Sequence, residues 1–90
     1  MAYRFYCVDN VNETRTLASG SGFLRRISIN KKGNAGSIIT IYDNTSGNGT
    51  LIAKIDPAID INSCEYDLVF NNGLTYVTTG SPGNFTVVYD

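Results

Sequence analysis

The chain has 90 residues, a formal net charge of −1, 42% hydrophobic residues, two cysteines and no histidine. This length allows one small domain, which buries only about 60–65% of the surface that its unfolded chain exposes. The charge balance argues against nucleic-acid binding, which needs a clustered basic face. Two isolated cysteines without any histidine argue against a zinc site.

The N-terminal segment predicts a strand with an aromatic residue on each side. Alternation places Tyr3, Phe5 and Cys7 on one side, and Arg4 and Tyr6 on the other. Such a strand is either covered on both faces or is an arm whose second face a partner covers. We therefore divide the single domain into an N-terminal strand or arm, residues 1–19, and a β-sandwich core, residues 20–90.

After a second predicted strand at residues 13–17, a third is predicted at residues 23–30. Phe23, Ile27 and Ile29 are expected to face inward, which places Arg25 on the same side. Arg25 must then reach the rim, pair with an acid, or lie beside a bulge that shifts the register.

The rest of the chain alternates short predicted strands with turn signals. The strands are expected at residues 37–43, 51–55, 64–70, 74–79 and 85–89. Asn72-Gly73 predicts a two-residue type I′ hairpin, because both residues tolerate positive φ. Ser81-Pro82-Gly83-Asn84 predicts a type II turn with Gly83 in the left-handed conformation. The Asn-rich loop at residues 43–50 lacks calcium-loop spacing, so its side chains are expected to cap their own turn.

Seven or eight short strands without helical periodicity predict an all-β fold, a single small antiparallel β-sandwich of jelly-roll or immunoglobulin-like topology. Cys7 and Cys64 lie inside alternating patterns, so we expect buried, reduced thiols. No residues form a catalytic, cofactor-binding or metal-ligating pattern, so we expect a protein that is not an enzyme.

Charge is divided unevenly along the chain. Residues 1–35 hold six basic and two acidic residues, whereas residues 36–90 hold one basic and six acidic residues. The oppositely charged strands either pair within one fold, which we favour, or make complementary contacts between subunits. No signal peptide and no apolar run of membrane-spanning length are recognised, so we expect a product made in the cytoplasm that binds no membrane.

Five segments carry a resemblance to a known family, and they are Gly22-Phe23-Leu24, Ile41-Tyr42-Asp43-Asn44-Thr45 with Gly49-Thr50, Phe70 with Asn72-Gly73-Leu74, Val77-Thr78-Thr79-Gly80, and Thr86-Val87-Val88-Tyr89. Their order and spacing resemble the small β-sandwich structural proteins of tailed bacteriophages, in particular capsid cement or decoration proteins. The resemblance implies a homotrimer on the outer head surface of the virion. It also implies binding to the major capsid protein, with stabilisation of the contacts between capsid subunits.

The candidate interface residues are aromatic and basic side chains in the N-terminal third of the chain, and they are Tyr3, Arg4, Phe5, Tyr6, Arg15, Arg25 and Arg26. An alternative function is a receptor- or glycan-binding β-sandwich module of a phage head fibre or tail. In that case Tyr42, Tyr66 or Tyr76 would supply a stacking platform for a sugar ring.

Overall fold

The computed structural model describes residues 3–59 and 63–90, which form eight β-strands and no helix. The strands are β1 (Arg4–Asp9), β2 (Thr14–Ser19), β3 (Gly22–Lys31), β4 (Ile38–Asp43), β5 (Thr50–Ile55), β6 (Ser63–Phe70), β7 (Gly73–Thr79) and β8 (Asn84–Tyr89). Every strand predicted from the sequence is present, with boundaries that agree to within two residues.

The eight strands form two four-stranded antiparallel sheets. The first sheet has the order β1-β8-β3-β6, and the second has the order β2-β7-β4-β5. The chain therefore pairs β1 with β8, β2 with β7, β3 with β6 and β4 with β5. This nested pairing, rolled into two sheets, is the eight-stranded jelly roll. The fold is thus the predicted antiparallel β-sandwich, and the strand order selects the jelly-roll topology.

The core lies between the two sheets and is built from alternate residues of their strands. Its fully buried side chains include Leu24, Ile27, Ile39, Ile41, Phe70, Leu74, Tyr76, Phe85 and Val87. Tyr76 of the second sheet meets Phe85 of the first edge-to-face, with ring centroids 5.7 Å apart. Burying a side chain of this size stabilises the fold by about 1.5–3 kcal/mol. These aromatic and branched side chains therefore hold the two sheets together.

The predicted hairpin at Asn72-Gly73 is wrong, because β6 and β7 belong to different sheets. Neither residue has a positive φ. The Asp43 carboxylate instead accepts backbone N–H groups from Asn71 at 3.0 Å, Asn72 at 2.8 Å and Gly73 at 3.3 Å. The segment is a crossing between sheets that a buried carboxylate organises. The left-handed conformation predicted for Gly83 is confirmed, since its φ is +78°.

A bulge in β3 changes which residue enters the core. The register shifts between Leu24 and Arg26 against both neighbouring strands. Leu24 is fully buried as a result, whereas Phe23, which was expected to face inward, is only half-buried. Two of the three alternatives for Arg25 are both correct. It lies at the bulge, and it also forms ion pairs with Glu65 and Asp67.

The expectation of buried thiols is wrong for Cys7, which is exposed, while Cys64 is half-buried. Cys7 has the predicted alternation, but its side of β1 is the solvent face, because Val8 supplies the core contact. Both cysteines are free. They lie on the two edge strands of the first sheet, about 14 Å apart across three strand spacings, so no intrachain disulfide can join them.

Candidate interaction surface

A cross-strand row of side chains spans the outer face of the first sheet. Phe5 of β1 lies opposite Val88 of β8, Val88 lies opposite Arg26 of β3, and Arg26 lies opposite Glu65 of β6. The alternate residues Ile27 and Val87 are buried in the core, so the row points away from the core. We call these four residues the outer row.

Large apolar side chains are unusually exposed on this face. Phe5 is 73% exposed, Tyr3 is 46% exposed, and Val69 of β6, opposite Phe23, is 62% exposed. A single exposed apolar residue is ordinary, but aromatic residues grouped on one face are typical of anchors at an interface. The outer face therefore combines an apolar stretch around Phe5 with a polar stretch on β3 and β6.

The polar stretch is a charge cluster that joins the basic and acidic halves of the chain. Arg25 Nη1 lies 3.2 Å from Glu65 Oε2 and also donates to Asp67, while Arg26 Nη1 lies 3.7 Å from Glu65 Oε1. The hydrogen bond to Asp67 is the main reason that the pKa of Arg25 is raised, and the nearby charge of Asp67 adds to it. Pairing within the fold is confirmed for these two arginines, so they do not form an unneutralised basic patch.

Tyr6 and Arg15 occupy a different place from Phe5. Tyr6 packs inward against Tyr76 with ring centroids 6.3 Å apart, and the Arg15 guanidinium carbon lies 5.1 Å from the centre of the Tyr6 ring. Glu13 accepts hydrogen bonds from Arg15, at 3.3 Å, and from the Tyr76 hydroxyl. The bond from Tyr76 is the main reason that the pKa of Glu13 is lowered, and burial opposes it. These groups close the opening between the β1 and β2 edges.

The structure thus divides the seven predicted interface residues. Tyr3, Phe5, Arg25 and Arg26 share the outer face of the first sheet, where Tyr3 is near enough to Arg25 to raise its pKa. Arg4, Tyr6 and Arg15 belong to the opposite side of β1 or to the β2 edge. Sequence reasoning missed Val69 and Val88, whose alternation marked them as outward-facing strand residues.

Part of the outer face of the second sheet, on β2 and β7, is covered by the loop that follows β4. Thr75 Oγ1 donates to the Asn44 carbonyl at 2.7 Å, and Thr16 Oγ1 donates to the Thr45 carbonyl at 3.1 Å. Thr75 is consequently fully buried although it faces outward. Asn44 also caps its own loop, accepting from the Thr45 N–H at 2.7 Å and donating to the Asn48 carbonyl at 2.9 Å, so the turn-capping expectation is confirmed. The β2 and β7 part of this face is therefore occupied by the chain itself, whereas Leu51 of β5 remains exposed.

A polar cleft of about 460 Å³ lies at one end of the sandwich, between the loops that follow β1, β3 and β7. Its lining residues are Asp9, Asn10, Lys31, Lys32, Gly33, Asn34, Ser81 and Gly83. The expectation of Tyr76 as a sugar platform is wrong, because Tyr76 is fully buried. In the described ranges 3–59 and 63–90, no three His, Cys, Asp or Glu residues are grouped to hold a metal ion. The same ranges contain no helix long and apolar enough to cross a membrane.

A comparison of the chain with protein-family models and with curated proteins finds no match.

Proposed function

We propose that this protein is a capsid cement, or decoration, protein of a tailed bacteriophage. It binds the major capsid protein through the outer face of the first sheet, on the outer surface of the head, and catalyses no reaction. The observation that carries the proposal is the outward-facing outer row, in which Phe5 is exposed, with its exposed flanking residues Tyr3 and Val69. The resemblance of residues 20–90 to such proteins supplies the identity of the partner.

The chemistry of the outer face suits docking onto a folded protein surface. Phe5 and Tyr3 bury large apolar areas with few rotatable bonds, which is why aromatic residues dominate the energetics of interfaces. The charge cluster beside them is internally neutralised, so docking does not require the burial of a net charge. Exposed ion pairs contribute little to stability but set orientation and partner choice at an interface. Phe5 therefore supplies most of the affinity, and the ion pair between Arg26 and Glu65 sets the orientation on the capsid surface.

A cement protein stabilises the head by adding contacts across the boundaries between capsid subunits. Each contact can be weak, because a protein that engages several subunits at once gains avidity from the high effective concentration of the second site. The outer row supplies one such contact from each copy.

Binding of the purified protein to undecorated heads tests the proposal. Phe5→Ala removes an exposed side chain and should leave the fold intact, as circular dichroism can verify, while weakening head binding at least tenfold. Leu51→Ala is the matched control, because Leu51 is an exposed apolar residue, at 52%, on β5 of the other sheet. Unchanged binding by Phe5→Ala, or equal losses in the two variants, would refute docking through the outer row.

The polar cleft favours a second candidate function, the receptor- or glycan-binding module. Ser81, Asn34 and Lys32 are among the residues that line it, and hydroxyl, amide and ammonium groups are those that hydrogen-bond to sugars. Copy number in the virion separates the two candidates. Hundreds of copies per particle support a cement protein, whereas a few to some tens support a fibre or tail component.

A further inference from the structure

The chain contains two Asn-Gly steps, and the structure gives them opposite surroundings. Asn48-Gly49 lies in the loop between β4 and β5, whereas Asn72-Gly73 lies in the crossing between β6 and β7. An asparagine side chain before glycine is readily attacked by the next backbone nitrogen, because glycine has no side chain to hinder the approach and the least restricted backbone. The surroundings of each step therefore decide whether it reacts in the folded protein.

The Asn48-Gly49 step is open to this attack. Both residues are exposed, and within the ranges 3–59 and 63–90 no oxygen accepts a hydrogen bond from the Gly49 N–H. No hydrogen bond therefore has to break before this nitrogen loses its proton and turns toward the Asn48 side chain. The Ser46 hydroxyl donates to Asn48 Oδ1 at 2.8 Å. This bond stabilises the negative charge that forms on the amide oxygen during the attack.

The Asn72-Gly73 step is held in place by Asp43. Gly73 is buried, and its N–H donates to the Asp43 carboxylate at 3.3 Å, while the Asn72 N–H donates to the same carboxylate at 2.8 Å. The negative charge of Asp43 opposes the loss of a proton from the Gly73 nitrogen. Attack at this step requires the crossing to open first, and the free energy of that local opening slows the reaction.

We propose that Asn48 is a site of spontaneous deamidation in the folded protein, and that Asn72 is protected from it. The Gly49 nitrogen forms a bond to Asn48 Cγ and closes a succinimide ring. The bond between Cγ and Nδ2 breaks, and the amide nitrogen leaves as ammonia with the proton that the Gly49 nitrogen gave up. Water then opens the ring at either carbonyl, which leaves aspartate or isoaspartate at position 48.

The modification alters a hydrogen bond that organises the loop. The Asn48 backbone carbonyl accepts from Asn44 Nδ2 at 2.9 Å, and in isoaspartate this carbonyl leaves the main chain and becomes a carboxylate. The main chain leading to β5 then gains a carbon atom. The carbonyls of Asn44 and Thr45, which accept from Thr75 and Thr16, belong to the same loop. Deamidation therefore changes the cover of β2 and β7 and not the outer row, so the inference is independent of capsid binding.

Peptide mapping by tandem mass spectrometry tests the proposal. The folded protein is incubated at mildly alkaline pH, and the converted fraction at each asparagine is followed in the tryptic peptides 33–54 and 55–90. We expect conversion at Asn48 to be at least about tenfold faster than at Asn72. The rate at Asn48 should increase with pH, because the nitrogen attacks only after losing its proton. In guanidinium chloride the two rates should become similar, because unfolding removes the different surroundings.

Two glutamine variants serve as matched controls, since glutamine keeps the amide but must close a larger ring and reacts far more slowly. Asn48→Gln should stop the conversion in peptide 33–54, whereas Asn34→Gln, at another exposed asparagine of the same peptide, should leave it unchanged. Circular dichroism should show that both variants are folded. Equal rates at Asn48 and Asn72 in the folded protein would overturn the proposal, as would no conversion at Asn48 while the unfolded protein converts.

Discussion

Substitution of Gly73 tests the finding that the segment between β6 and β7 is a crossing between sheets and not a hairpin. A Cβ atom at Gly73 would lie 2.8 Å from the Asn44 carbonyl oxygen, 2.9 Å from the Ala18 carbonyl oxygen and 2.9 Å from Thr45 Cγ2. Two of these atoms are backbone and cannot rotate away. Forcing a methyl group into a packed site costs about 1–3 kcal/mol. Contacts this short with backbone atoms place the cost in the upper part of that range. The lower entropy of the unfolded alanine variant returns about 0.4–1 kcal/mol, so Gly73→Ala should destabilise the protein by about 1–2.5 kcal/mol.

Asparagine separates the two explanations, because it tolerates a left-handed backbone but is larger than alanine. If Gly73 is required for space, Gly73→Asn is at least as harmful as Gly73→Ala. Gly36 is the matched control, since its φ is +87° and a Cβ atom there would meet nothing within 4 Å. There, Gly36→Asn should be more stable than Gly36→Ala. Thermal unfolding resolves these differences, because 1 kcal/mol shifts the midpoint of a domain this size by about 4–8 °C. A Gly73→Asn protein more stable than Gly73→Ala would refute the crossing and restore the left-handed turn.

Three further predictions concern the core and its titratable groups. Leu24→Ala should lower the free energy of unfolding by about 2–5 kcal/mol, and Phe23→Ala by clearly less, as urea unfolding can measure; the opposite order would contradict the bulge. Backbone N–H groups hold the pKa of Asp43 below its usual range, so its contribution to stability is complete above about pH 4, the unfolded pKa, and is lost as the pH falls through the lower folded value. Asp43→Asn should therefore lower the melting temperature at neutral pH and flatten its decline in acid, and an unchanged acid slope would count against this role. Burial raises the pKa of Tyr66 to about 12 and also raises that of Tyr76. At about pH 11 these two hydroxyls therefore stay largely protonated, and replacing either tyrosine by phenylalanine should leave the tyrosinate absorbance of the protein unchanged.

The strands of this fold could be predicted from the sequence because their signals are local. A period of two between apolar residues identifies a strand whatever it pairs with. Pairing itself is not local, so Asn72-Gly73 matched a hairpin although a carboxylate from β4, about thirty residues earlier, organises that segment. Alternation also gives the side of a residue without saying which side is the core. Cys7 was therefore grouped correctly with Phe5 but assigned to the wrong surface.

The candidate surface was predictable to a similar extent. Aromatic residues on both sides of β1 left two alternatives, a strand covered on both faces or an arm whose second face a partner covers. Phe5 is exposed, so this chain does not itself cover both faces of β1. The separation of Tyr6 and Arg15 from that face could not be foreseen, because it depends on Tyr76 and Glu13 approaching from the second sheet. The covering of the second sheet by the loop after Asp43 likewise depends on hydrogen bonds to threonines on two other strands.

The three surfaces of β1 have different surroundings, and this determines which substitutions can separate a docking role from a structural role. Val8 is buried in the core, Phe5 lies on the open outer face, and the backbone edge of the strand is unpaired on the side away from β8. Removing residues 1–8 would take away a core side chain and expose the β8 edge, so loss of binding by a truncated protein would not distinguish an interface from a structural strand. Phe5→Ala alters only the outer face, whereas Val8→Ala removes only a core contact. Comparing their effects on head binding and on thermal stability therefore separates docking by the outer face from the structural role of the core face.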